Sequence, residues 1–263
     1  ALFYALSTIP MLLHVRQINE PETLPAGEST ISHAFKKLGG TFRDIKRYKE
    51  FIKYTISFLI YNDGIMMLLD NAAIIAGILY GFETSELIIL IIILQISGAA
   101  GAYLFGRVSN KRSSKQAILY ALSFLVLVIA LLFFNKSKGI FYVIAALAGF
   151  FLSGVQAVSR TMVSQLSPSS KTAEFYGFLS VAGRTSTFVG PLVFGSVYAG
   201  FTNLYLNRGL SDTLAKRNGI LWAIGSNVVF LIVGLAFLLP VRKVTQKDPL
   251  IFDASGENPQ KGL

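Results

Sequence analysis

Residues 87–106 read LIILIIILQISGAAGAYLFG, twenty positions without a charge. Leu87 to Leu94 is apolar on every side, so the run shows neither the alternation of a half-buried strand nor the single stripe of a surface helix. Twenty residues at about 1.5 Å each reach about 30 Å, the thickness of a bilayer's hydrocarbon core. Lipid offers no hydrogen bonds to bare backbone, so a spanning segment is a helix or part of a closed barrel. Barrel strands alternate over about ten residues, and this run does not. It predicts a transmembrane helix.

Working outward, residues 116–135, 139–159, 185–207 and 218–241 are also free of charge. Residues 54–82 form a further span that contains Asp63 and Asp70, and the run at 185–207 extends back through Arg184 to about Phe175. Six spans result: 54–82, 87–106, 116–135, 139–163, 175–200 and 218–240. The fold class is an all-α membrane protein. Composition agrees: 53% of the 263 residues are hydrophobic and 14% are charged, against about 25% charged in soluble domains. A soluble fold of this size would expose large apolar patches, and a disordered chain would be less apolar. With no cysteine, disulfide scaffolds and thiolate metal sites are excluded.

The net charge of +10 has a pattern. Alternating the loops puts residues 14–53, 107–115, 160–174 and the tail after 240 on one side, with eighteen Lys and Arg; the opposite loops hold five. Basic residues stay on the cytoplasmic side, so the first set is expected there. Nucleic acid is not an expected partner, because a basic binding face would be clustered rather than spread between apolar helices. Membrane lipids are. Residues 1–13 are apolar but too short to span, and are expected to be the tail of a helix that begins upstream. Residues 14–53 divide into the linker NEPETLPAG (19–27) and a basic amphipathic helix over 34–52, with Phe35, Leu38, Phe42 and Ile45 on one face. Residues 241–263 are expected to be a cytoplasmic tail.

Ionisable groups inside a membrane are expensive and mark function. Asp63 and Asp70 are seven apart and share a helix face. Asp63 and Arg184 lie at similar depth from the cytoplasmic side and are expected to pair, each offsetting the other's desolvation. These three are the transport or coupling candidates. Cavity-lining candidates are Asn62, Gln95, Ser153, Gln156, Ser180 and Thr187. Spans 54–82, 87–106, 139–163 and 175–200 carry polar faces; 116–135 and 218–240 are expected to be peripheral. Gly190-Pro191 is expected to break or kink its span, and broken helices at midplane depth are a transporter habit.

Taken together, the chain resembles the C-terminal half of a major facilitator superfamily transporter. The six-helix half over 54–240 resembles helices seven to twelve, residues 14–53 the connector between halves, and 1–13 the end of helix six. The resemblance implies that the first, second, fourth and fifth helices of the half line a central cavity. The loop Gly106-Arg-Val-Ser-Asn-Lys-Arg-Ser-Ser-Lys115 resembles the superfamily's G-x-x-x-D-[RK]-x-G-x-[RK] motif through Gly106, Lys111 and Lys115; Asn110 stands where Asp is expected and Ser113 where Gly is. Two segments resemble the autophagy-related vacuolar amino-acid effluxer branch: Phe58-Leu-Ile-Tyr-Asn-Asp-Gly64, and Phe175-Tyr-Gly177 through Gly183-Arg184 to Gly190-Pro-Leu-Val-Phe-Gly195. This implies secondary transport of amino acids or similar small polar solutes by alternating access, together with a partner N-terminal half and no cofactor. The expected location is a bacterial plasma membrane, or a vacuolar or other organelle membrane in a eukaryote. A non-transporting scaffold or accessory subunit is the alternative. An intramembrane aspartyl hydrolase would need its two Asp on facing helices, whereas here both lie on one span. No G-x-x-x-x-G-K-[ST] loop points to ATP.

Overall fold

The computed structural model describes residues 48–168, 171–186 and 188–243, together with Thr8, Ile9 and Leu13. The expected upstream helix tail, nearly all of the connector, Thr187 and the tail beyond residue 243 lie outside the described residues. Over the continuous described stretches seven α-helices are formed: α1 Lys49–Tyr80, α2 Thr84–Lys111, α3 Ser114–Ala130, α4 Lys138–Leu166, α5 Thr172–Ser186, α6 Val189–Asn207 and α7 Asp212–Leu238. A short 3-10 turn, Leu131–Phe133, ends α3. No strand occurs among the described residues. Helices α1, α2, α4 and α7, and α3 continued through its 3-10 turn, are each long and apolar enough to cross a bilayer.

Local chemistry sets the boundaries. Helix α1 stops at Gly81, whose φ of 63° is left-handed and suits a residue without a Cβ. Helix α2 opens with a reciprocal capping box between Glu83 and Glu86. Ser113 caps α3 by accepting a bond from the Gln116 amide at 3.2 Å, which gives the serine in the loop motif a use that glycine lacks.

The expected span 175–200 is two helices. Helix α5 ends at Ser186 and α6 starts at Val189. Pro191 explains the position: it has no N–H to offer the carbonyl four residues back, and its ring crowds that carbonyl. The break therefore falls one turn before the proline.

Helix α2 packs along α4, α1 along α7, α6 along α7, and α3 bridges α4 and α7. Glycines make the closest approaches. A Cβ on Gly101 would overlap the Phe150 backbone carbonyl, and one on Gly234 would stand 2.7 Å from the Tyr61 amide nitrogen. The third and sixth spans, expected to be peripheral, each carry one covered face and one exposed apolar face. Helix α3 buries Ile118, Leu122 and Leu125 completely while Phe124 and Leu127 stay exposed. Helix α7 carries fully buried Asn227 and Leu231. The covered face of α3 lies against α4 and α7, and that of α7 against α1 and α6. The least covered span is α2, 17% buried over its most apolar stretch, with Ile88, Ile92 and Ile96 exposed at spacings of four.

Candidate functional site around Asp63

Asp63 sits midway along α1 and is only 4% exposed. Three elements converge there. Helix α6 brings Gly190 against the backbone: a Cβ at that position would stand 2.9 Å from the Asp63 carbonyl oxygen and 2.8 Å from Met67 Cγ. Helix α7 covers the next residue, since a Cβ on Gly64 would touch Leu231 at 3.0 Å and Phe230 at 3.2 Å. The Asn227 amide donates to the Gly64 carbonyl at 2.5 Å. Helix α5 ends at the same level, where Ser186 Oγ donates to Asp63 Oδ1 at 3.2 Å.

The expected Asp63–Arg184 pair is not formed. The donor to the carboxylate is Ser186, and Arg184 is exposed. Two residues on a helix are about 200° apart around the axis, so Ser186 facing α1 turns Arg184 away from it. Asp63 and Asp70 also part company. They share a side of α1, but Asp63 lies under α5 and α6, whereas Asp70 is exposed.

The remaining candidates scatter. Asn62 is buried beside Asp63. Gln95 is exposed on α2, and Ser153 and Gln156 are half-buried on α4, Ser153 packing on Gly98. Ser180 is exposed and bonds the Tyr176 carbonyl at 2.8 Å. In the loop motif, Gly106 is half-buried and Asn110 and Lys111 are exposed. Lys115 is buried, and its ammonium donates to the Leu239 and Val241 carbonyls, each at 2.5 Å. The motif's last basic residue thus caps the end of α7, whose final carbonyls have no partners within the helix.

Sequence reasoning passed over a second polar group. The Tyr54 hydroxyl donates to the Ser159 carbonyl at 2.8 Å, and the Tyr61 and Ser159 hydroxyls meet at 2.7 Å. All three residues are buried and join α1 to α4. Their signal was present as Tyr54, Ser57 and Tyr61 at helical spacings; Ser57, on the neighbouring side, bonds the Gly234 carbonyl at 2.8 Å. Ser186 gave no such signal, since its importance comes from ending a helix.

Arranged this way, the site is a single carboxylate at mid-helix, held by one hydroxyl, where a helix breaks. It suits binding and release of a proton or small cation. Among the described residues no cluster of three metal-ligating side chains occurs.

Comparison with known proteins agrees with the architecture. The chain is 25% identical over 248 residues to an uncharacterized MFS-type transporter, YxiO, of Bacillus subtilis, covering 94% of this chain and 53% of that protein. It is 28% identical over 180 residues to autophagy-related protein 22 of Yarrowia lipolytica, covering 65% of this chain and 31% of that one. It therefore spans about half the length, or less, of these curated relatives. The crystal structure of a bacterial homolog of the human lysosomal transporter Spinster, inward-facing and unoccupied, superposes with a TM-score of 0.62 at 16% identity. That match covers 89% of this chain and 55% of the other. It shows that the chain shares the fold of about half of that protein. The sequence signature described as "Vacuole effluxer Atg22 like" matches residues 1–204. The chain is a multi-pass membrane protein and belongs to the vacuole effluxer Atg22-like family.

Proposed function

We propose that the chain is the C-terminal half of a secondary transporter that moves amino acids or similar small polar solutes by alternating access. Asp63 is the group that takes up and releases a proton or cation. The observation that carries this is a carboxylate buried at mid-span with one neutral hydrogen-bond donor, beside a broken helix. A carboxylate kept there for structure alone would be expected to have a permanent cationic partner. The eighteen basic residues on one set of loops support a cytoplasmic location for the ends of α1 and α7.

The test uses the full-length protein in proteoliposomes with a panel of radiolabelled amino acids. Gradient-driven uptake is expected to vanish in Asp63→Asn while uptake without a gradient persists. Undiminished gradient-driven uptake by that variant would overturn the coupling role.

A further inference from the structure

Ser186 is the last residue of α5. Its hydroxyl oxygen lies 3.2 Å from Asp63 Oδ1 and 3.1 Å from the Gly183 carbonyl oxygen. A serine hydroxyl has one hydrogen, so it donates to one of these acceptors at a time. An ionised Asp63 is acceptor-only and makes the stronger, charge-assisted bond. A protonated Asp63 instead donates its own O–H to Ser186 Oγ, and the Ser186 hydrogen swings to the Gly183 carbonyl. Ser186 keeps its proton throughout; the proton gained or lost belongs to Asp63 and comes from solvent.

The two arrangements differ mechanically. With the hydrogen on Asp63, the last turn of α5 is pulled onto α1 by a charged bond. With the hydrogen on Gly183, that turn closes on itself and is held to α1 by a neutral bond. Past the turn residue Phe188 the chain resumes as α6, which is fixed to the other side of Asp63 through Gly190. A change in the seating of Ser186 is therefore a change across the break.

We propose that Ser186 is a positioning residue through which the charge state of Asp63 sets how the end of α5 is seated on α1. This rests on Asp63 being the coupling group. Other charged and titratable groups lie on the helices packed here. Helix α5 carries Glu174 near its start and Arg184, exposed and turned away. Helix α6 has no Asp, Glu, Lys or Arg, and its Tyr198 and Tyr205 lie beyond Gly190. The charges of α7 are Asp212, Lys216 and Arg217 in its first turns, while Asn227, Phe230 and Leu231 face Gly64. Helix α4 has Lys138 and Arg160 and meets α1 through Ser159 at Tyr54 and Tyr61. On α1 the neighbouring titratable groups are Tyr61 and Asp70.

The test is a distance across the break. This chain has no cysteine, so Val181→Cys and Leu192→Cys, exposed on α5 and α6, take spin labels in full-length protein with any other cysteines replaced. The interspin distance, measured in acidic and alkaline buffer, is expected to shift in the labelled parent. It is expected to hold the acid value at both pH values in Asp63→Asn. Ser186→Ala is expected to lose the shift. The near-isosteric pair Ser186→Thr and Ser186→Val separates hydroxyl from packing: threonine is expected to keep the shift and valine to lose it. A parent with no shift, or a full shift in both Ser186→Ala and Ser186→Val, would overturn the positioning role. If the shift persisted in Asp63→Asn, the coupling role of Asp63 would fail instead.

Discussion

Asn227 on α7 donates to the carbonyl oxygen of Gly64 on α1 at 2.5 Å, one residue past Asp63. The other end of the same amide, Oδ1, is buried and has no hydrogen-bond partner among the described residues. One side chain thus brings a favourable interhelical bond and an uncompensated buried acceptor to the same place.

These effects oppose each other. Interhelical hydrogen bonds in membranes contribute about 0.6 kcal/mol on average, and an unmet buried acceptor costs about 1–3 kcal/mol. Asn227→Leu fills nearly the same volume and removes both, so it is expected to change stability by less than about 1 kcal/mol or to raise it. Asn227→Ala leaves a cavity as well and is expected to cost about 2 kcal/mol. Denaturant unfolding of the purified full-length protein checks the difference between the two.

Gly101 and Gly195 make a second contrast. A Cβ on Gly101 meets the Phe150 backbone, which cannot rotate aside, whereas one on Gly195 meets nothing within 4 Å. Gly101→Ala is expected to cost about 1–3 kcal/mol through overpacking. Gly195→Ala is expected to be neutral or stabilising by up to about 1 kcal/mol, since alanine is the better helix former. Midpoints of thermal unfolding in one detergent will rank them.

Lys115→Met keeps an unbranched stem but loses both bonds to the end of α7. The Leu239 and Val241 amides, which bond Ala236 and Leu238, are expected to exchange hydrogen faster by tenfold or more, a factor worth about 1.4 kcal/mol. Amides near Gly219, far along α7, are expected to be unaffected. Hydrogen-exchange mass spectrometry of the full-length protein resolves the two regions.

Tyr61→Phe and Ser159→Ala remove opposite ends of one buried hydrogen bond. Each is expected to cost about 1 kcal/mol. The double variant should cost less than the sum, because the bond is lost only once. Strict additivity would show that the hydroxyls act independently.

Much of this was legible in the sequence. The charge-free runs located the spans because the bilayer imposes its thickness on any helix that crosses it. Asp63 stood out because a carboxylate in such a run is costly. Lys115 was noticed only as part of a loop motif, and its burial depends on where α7 ends, about 125 residues later. The Asp63–Arg184 pair was inferred from depth alone. Depth gives height along a helix but not rotation about it, and Ser186, not Arg184, is the residue rotated toward α1. The covered faces of α3 and α7 were not legible for a related reason. Polarity separates wet faces from dry ones, but it does not distinguish lipid from the interior of a helix bundle.

The break before Pro191 also bears on how the protein is made. Helix α5 has 15 residues and α6 has 19, so α5 alone reaches only about 22 Å at 1.5 Å per residue. An emerging segment of that length, followed by Gly190-Pro191, is a poor substrate for one-step partitioning into lipid. It becomes favourable in the membrane once Gly190 has α1 to lie against and Ser186 has Asp63 to meet. The most irregular segment described is thus synthesised after the helix it packs against, so its contacts wait in the chain ahead of it.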